Sequence, residues 1–192
     1  LEDIGMMKML PGMTVVVPAD YNQTRLATKA VVEWHGPCYL RFGRPVWPIF
    51  TPAEDPTFQI GKAQFLSEGT DVTIIACGHL VWHAVEAGQQ LEKEGYSVEL
   101  INMHTIKPLD EEAILKSVGK TGCVVTAEEH QYNGGLGESV ARVLATHLPA
   151  PQEFVAVQDS FGESGTPTEL LEKYGLSPKD IVAAAKKAMA RK

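Results

Sequence analysis

The chain has 192 residues, 44% of them hydrophobic, and a formal net charge of −7 with histidine neutral. That is enough apolar material for one large domain or two small ones. The acidic balance argues against broad binding to nucleic acid or anionic membranes, so any anionic ligand must meet a local positive site. Three cysteines, Cys38, Cys77 and Cys123, are odd in number and widely spaced, and no Cys/His spacing suits a structural zinc. No apolar run is long enough to span a bilayer and no signal peptide is recognisable, so a reducing cytoplasm is the expected compartment.

The chain opens on Leu1-Glu2-Asp3-Ile4 without an initiator Met and already inside a helical pattern. Leu1, Ile4, Met7 (or Met6) and Leu10 carry that pattern until Pro11-Gly12 stops it, and a fragment of a longer protein is expected. Met13–Val17 is a β-branched run that reads as an interior parallel strand. Asp20 follows at its carboxyl end, placed to cap a helix with Leu26, Ala30 and Trp34 on one face. A short strand, Cys38–Leu40, completes a β-α-β unit and runs out into Arg41-Phe42-Gly43-Arg44-Pro45. Ligands of open α/β sheets sit beyond the carboxyl ends of strands, and a guanidinium there matches a phosphate in geometry and charge. An arginine paired with a carboxylate, or lying on the surface, is the competing reading of this stretch. Residues 46–60, with Pro48, Pro52 and Pro56, read as an extended linker laid along a surface.

From about Gly61 a second α/β pattern begins. Lys62–Leu66 reads as an edge strand, Asp71–Cys77 as a buried strand, and Val81, Ala84, Val85, Ala87 and Leu91 as a helix closed by Gly95. Ser97–Met103 is the next strand, followed by a turn through Pro108 and a helix from Asp110 to about Val118, its acidic start suited to the helix dipole. Gly122–Thr126 and Glu153–Gln158 are further strands. Helices are predicted from Leu136 to His147, from Thr168 to Tyr174 and from Pro178 to Met189. This alternation specifies a mainly parallel sheet covered on both faces.

Several motifs invite a chemical reading. Gly119-Lys120-Thr121 imitates the tail of a P-loop, but it ends a helix where the motif must open one, and Ile114 stands where the first glycine belongs. Gly134-Gly135-Leu136-Gly137 follows a strand and opens a helix, yet Val140 replaces the third glycine of a dinucleotide loop. An anion site and a tight, closely packed turn both fit it. Glu128-Glu129-His130 offers acid/base chemistry, but neighbours on a strand face opposite ways, so no more than one of these carboxylates can face a given pocket. Capping, hinge or interface roles fit equally. His79 and His83, four residues apart, lack the rest of a metal motif and read as a structural pair.

Taken together, these blocks resemble the transketolase family. Leu10-Pro11-Gly12-Met13, Val17-Pro18-Ala19-Asp20 and Gly36–Pro45 resemble the latter part of a transketolase pyrimidine-binding domain. Ile106-Lys107-Pro108-Leu109-Asp110, Glu128-Glu129-His130 and Gly134-Gly135-Leu136-Gly137 resemble the C-terminal domain. The likeness is strongest to the C-terminal subunit of two-chain bacterial transketolases. It implies the second half of a pyrimidine-binding domain (residues 1–45), a linker (46–60) and a three-layer αβα domain (61–192) with a mainly parallel five-stranded sheet. It also implies ketol transfer between sugar phosphates, using thiamine diphosphate and a divalent metal, Mg or Ca. Both would be held largely by an N-terminal diphosphate-binding chain or domain, and none would be bound by this fragment alone. In the family the glutamate that activates the pyrimidine ring lies upstream, so no catalytic residue is expected here and the fragment alone should be inactive. Arg44 matches the arginine that grips the terminal phosphate of the substrate, Arg41 being a weaker second. The C-terminal domain is expected to contribute dimer contacts.

Two other readings remain at the level of sequence. One keeps the superfamily but changes the reaction, to the β-type subunit of a 2-oxoacid dehydrogenase or to a deoxyxylulose-phosphate synthase. The other is a non-catalytic interaction module.

Overall fold

A computed structural model describes all 192 residues, Leu1–Lys192. Its larger sheet has five strands in the order β3-β5-β4-β7-β8. These are β3 (Gln64–Ser67), β4 (Val72–Ala76), β5 (Val98–Asn102), β7 (Val124–Gln131) and β8 (Gln152–Val157). All neighbours run parallel except β3, which lies antiparallel to β5 at one edge. The central strands β4 and β5 are buried at every position, as continuous apolar runs in a two-sided sheet must be.

Helices cover both faces. On one side α3 (Leu80–Lys93) and α7 (Pro178–Met189) bring Leu80, Ala84, Leu91, Ile181 and Ala185 onto Ile74, Val125 and Val155. On the other, α4 (Glu111–Thr121) and α5 (Leu136–His147) bring Ile114, Val118, Val140 and Leu144 onto Ile75, Ile101 and Val124. The expected three-layer αβα arrangement is therefore present. The short α6 (Pro167–Lys173) and α7 each open with a proline and a reciprocal capping box.

The first sixty residues form α1 (Asp3–Met9), β1 (Thr14–Val16), α2 (Tyr21–Glu33) and β2 (Cys38–Leu40). Asp20 caps α2 through the amide of Gln23, as its position suggested. β1 is interior, parallel to β2 as expected, but its other neighbour is β6 (Thr105–Lys107), running antiparallel. Sequence reading makes residues 104–108 a plain turn. In the structure Ile106 is buried in the same cluster as Val15 and Val17, and the Lys107 ammonium donates to the carbonyls of Lys8 and Leu10 at 2.9 and 2.7 Å. The smaller sheet thus takes one strand from the far side of the proline-rich stretch. That stretch has no helix or strand between Arg41 and Ala63. It is held down at Asp20, whose carboxylate accepts from the amides of Phe50 and Thr51 at 2.8 and 2.7 Å and from the Thr51 hydroxyl at 2.6 Å.

All three cysteines are free, with Cys77 and Cys123 buried.

Candidate functional site

β2 ends at Leu40, and the chain leaves the sheet with the Arg41 amide still bonded to the Val16 carbonyl at 2.9 Å. The next residues pass across the carboxyl ends of β4 and β7. Arg44 is exposed, forms no ion pair, and faces a cleft of about 330 Å³. Leu1, Trp47, His79 and Glu129 line this cleft together with residues between Gly162 and Leu171. A second hollow of about 430 Å³, lined by Asp20, Tyr21 and Phe42, lies against the opposite side of the loop, and Trp47 and His79 border both.

Arg41 is placed differently from the expected second phosphate contact. Its Nε lies 3.2 Å from Asp3 Oδ2, its Nη2 donates to the Glu129 carbonyl at 3.0 Å, and its Nη1 is 3.7 Å from Glu129 Oε2. The guanidinium is largely covered, and its nitrogens are committed to protein acceptors. The physical reason is alternation along β7: Glu129 projects toward the loop, and Asp3 at the start of α1 meets the same arginine from the other side. Arg44 is the arginine of the pair with an unengaged guanidinium.

The Glu128-Glu129-His130 run divides by face, as adjacent strand residues must. Glu129 borders the cleft. Burial opposes its ionisation, but His79 and Arg41 hold its carboxyl below the usual range. Glu128 points to the opposite side, 1% exposed, and accepts from the amides of Leu136 and Gly137 at 2.7 and 2.8 Å. Its carboxylate caps α5, and burial pushes its pKa up to about 7 against these two bonds, which favour the anion. A side chain at Gly135 would stand 2.1 Å from Glu128 Oε2, which explains the glycine there. His130 accepts from the Gly5 amide through Nε2 at 3.2 Å, so its proton sits on Nδ1, 2.6 Å from the Gln131 carbonyl. Burial pushes this imidazole below its ordinary pKa. Glu128 and His130 therefore tie α5 and α1 to β7 and do not face the cleft.

The amino end of α5 is filled by this carboxylate, and no three His, Cys, Asp or Glu side chains gather to hold a metal ion. The Leu136 and Gly137 amides are therefore not free to bind a diphosphate.

The family model for the transketolase C-terminal domain matches residues 61–181. The chain belongs to the transketolase family. A solved relative described as a split-gene transketolase, inactive beta4 tetramer, is 47% identical and superposes with a TM-score of 0.96, covering 100% of this chain and 62% of that one. A 6-deoxy-6-sulfo-D-fructose transketolase subunit from Clostridium sp. (strain MSTE9) is 45% identical, over 100% of this chain and 59% of the relative. An apulose-4-phosphate transketolase subunit from Phocaeicola vulgatus is 39% identical, over 96% of this chain and again 59% of the relative. Relatives of lower identity include 1-deoxy-D-xylulose-5-phosphate synthases. The chain thus spans about three fifths of the length of these two transketolase subunits.

Of the residues around the cleft, the sequence draws attention to Arg44, Glu129 and His79, the last only as half of a structural pair. The imidazole packs on Trp47 with ring centroids 4.5 Å apart and planes at 20°, and its Nδ1 lies 3.4 Å from Glu129 Oε2. His83, its expected companion, shares the Trp47 indole, with ring centroids 5.4 Å apart, and its Nδ1 lies 2.9 Å from the Leu176 carbonyl. A histidine just after Gly78 carries no local signal for partners 32 residues behind and 50 ahead. The one sequence feature that could point to it is the glycine at 43, where the loop leaves room for a ring.

Proposed function

We propose that this chain is the substrate-side part of a transketolase, one that moves a two-carbon ketol unit from a ketose phosphate to an aldose phosphate. Arg44 grips the terminal phosphate. The observation that carries this reading is a single guanidinium, exposed and free of any carboxylate, at the mouth of a 330 Å³ cleft beyond the carboxyl ends of a parallel sheet. Thiamine diphosphate and its divalent metal, Mg or Ca, belong to protein outside this chain. The partner is an N-terminal diphosphate-binding chain or domain, and the working enzyme is a cytoplasmic assembly of at least two such pairs. Residues 1–45 serve as part of the pyrimidine-binding unit, residues 46–60 as the linker and residues 61–192 as the C-terminal domain. No helix is long and apolar enough to cross a membrane.

A deoxyxylulose-phosphate synthase also takes a phosphorylated aldose, and the synthases among the relatives favour it as the second reading. The complete enzyme, assembled with its partner chain, separates the two: ketose-phosphate donors support turnover in the first case and pyruvate in the second. Arg44→Ala should raise KM for a phosphorylated acceptor by about ten- to a hundredfold, as loss of a charge-assisted contact worth about 1.5–3 kcal/mol requires. An unchanged KM removes the phosphate role from Arg44.

A further inference from the structure

We propose that His79 is a positioning residue for Arg44, the imidazole acting as the block on which the arginine-bearing loop is seated. This rests on the phosphate-gripping role of Arg44. The loop has no ladder or helical hydrogen bonds of its own, and a segment of that kind keeps one conformation only through contacts to its surroundings. At its start the Arg41 side chain is pinned to Asp3 and Glu129, and at its far end Phe50 and Thr51 are bonded to Asp20. Between these anchors, Phe42, Val46 and Ile49 are 61%, 100% and 60% exposed and bury little against this chain. What remains is the start of α3: His79, and His83, whose ring centroid lies 5.4 Å from that of Trp47. Trp47 stacks on the His79 ring and donates from Nε1 to the His79 carbonyl at 3.1 Å. Gly43 lies so close over the imidazole that an added Cβ would stand 1.9 Å from Cε1 and 2.5 Å from Nε2. Arg44 is therefore flanked, on both sides along the chain, by residues seated on one imidazole.

The imidazole is itself held. Its side chain is 12% exposed, and its Nδ1 faces the Glu129 carboxylate at 3.4 Å. Glu129 in turn is steered by Arg41 through its carbonyl and its carboxylate. His79 precedes α3, and Glu129 stands on β7, so the large sheet fixes the position of a side chain carried by the smaller one. A misplacement of about 1 Å in such a support can cost on the order of a hundredfold in a reaction it serves. A histidine that merely filled space beside α3 would explain neither the glycine pressed on its ring nor the indole bonded to its own carbonyl.

The test uses the enzyme assembled with its partner chain and two acceptors, ribose 5-phosphate and the unphosphorylated glycolaldehyde, and reads the ratio of their KM values. His79→Ala should shift this ratio about tenfold against the phosphorylated acceptor. Gly43→Ala should shift it at least as far, because its methyl meets the ring. The double variant should be no worse than His79→Ala alone, since the vacated imidazole space receives the methyl, a non-additivity that independent sites do not show. Acrylamide quenching of Trp47, in a Trp34→Phe, Trp82→Phe background, should rise when His79 is removed. If His79→Ala does not fold, His79→Gln is read by the same ratio. A ratio within twofold of the parent for the His79 variant, with Arg44→Ala still shifting it, overturns the positioning role and leaves the phosphate grip standing. A ratio that Arg44→Ala also leaves unmoved overturns both.

Discussion

Glu128→Gln isolates the most perturbed carboxylate in the chain. Glu128 sits fully buried beneath the amino end of α5, bonded to the amides of Leu136 and Gly137, with a pKa raised from 4.5 to about 7. A folded-state pKa above the unfolded value means that the folded chain binds the proton more tightly. The contribution is therefore fully present below about pH 4.5 and is lost as pH rises through about 7. The span between these values corresponds to at most about 3 kcal/mol. Glutamine stays neutral and lacks the pH dependence, but its amide nitrogen cannot accept, so one of the Leu136 and Gly137 amides loses its acceptor at a cost that does not change with pH. Urea unfolding of both proteins at half-unit steps from pH 4.5 to 8 gives the difference in stability, in which all other titrating groups cancel. That difference should move by about 2–3 kcal/mol in favour of glutamine as pH rises. A flat difference, or one moving toward the parent, would show that the two amide bonds outweigh burial and that the carboxylate is ionised throughout.

Asp20→Ala removes a helix cap and three bonds to Phe50 and Thr51, and should cost about 2–4 kcal/mol in chemical denaturation. Burial raises the Asp20 pKa, but its amide and hydroxyl donors outweigh that and lower it, so its share of stability is present above about pH 4 and lost on acidification. Gly88→Ala should raise the thermal midpoint, worth about 0.5–1 kcal/mol, because the glycine sits inside α3 and a methyl there meets only Val98 Cγ1 at 3.8 Å. Gly69→Ala should do the reverse and cost more than about 2 kcal/mol, its methyl falling 2.2 Å from the Val98 carbonyl carbon. A stable Gly69→Ala protein would mean that the turn before β4 yields easily.

The centre of the larger sheet is legible in the sequence because β4 and β5 are local apolar runs. Val72–Ala76 and Val98–Asn102 need no partner information to be recognised, and the C′ position of Gly95 closes α3 with a φ of 92°. β6 is not legible. Three residues before a proline become a strand only because Val15 and Val16 offer them a ladder from about ninety residues upstream. β7 reads short for a similar reason. Glu128, Glu129 and His130 look like the polar end of a strand, but α5, the arginine loop and α1 satisfy each of them inside the protein. The site divides in the same way. Arg44 stands out through the company of Gly43, Pro45 and the strand before it. The engagement of Arg41 and the seat provided by His79 depend on residues that only folding brings together.

Because β6 leaves the large sheet to complete the small one, the proline-rich stretch is not what keeps the two parts of the molecule together. A protease that nicked the backbone between Pro52 and Pro56 would release nothing: β1 would still be zipped to β6, and Lys107 would still grip the end of α1. The stretch works as a brace rather than a tether, because the β1–β6 ladder joins the two parts independently of it.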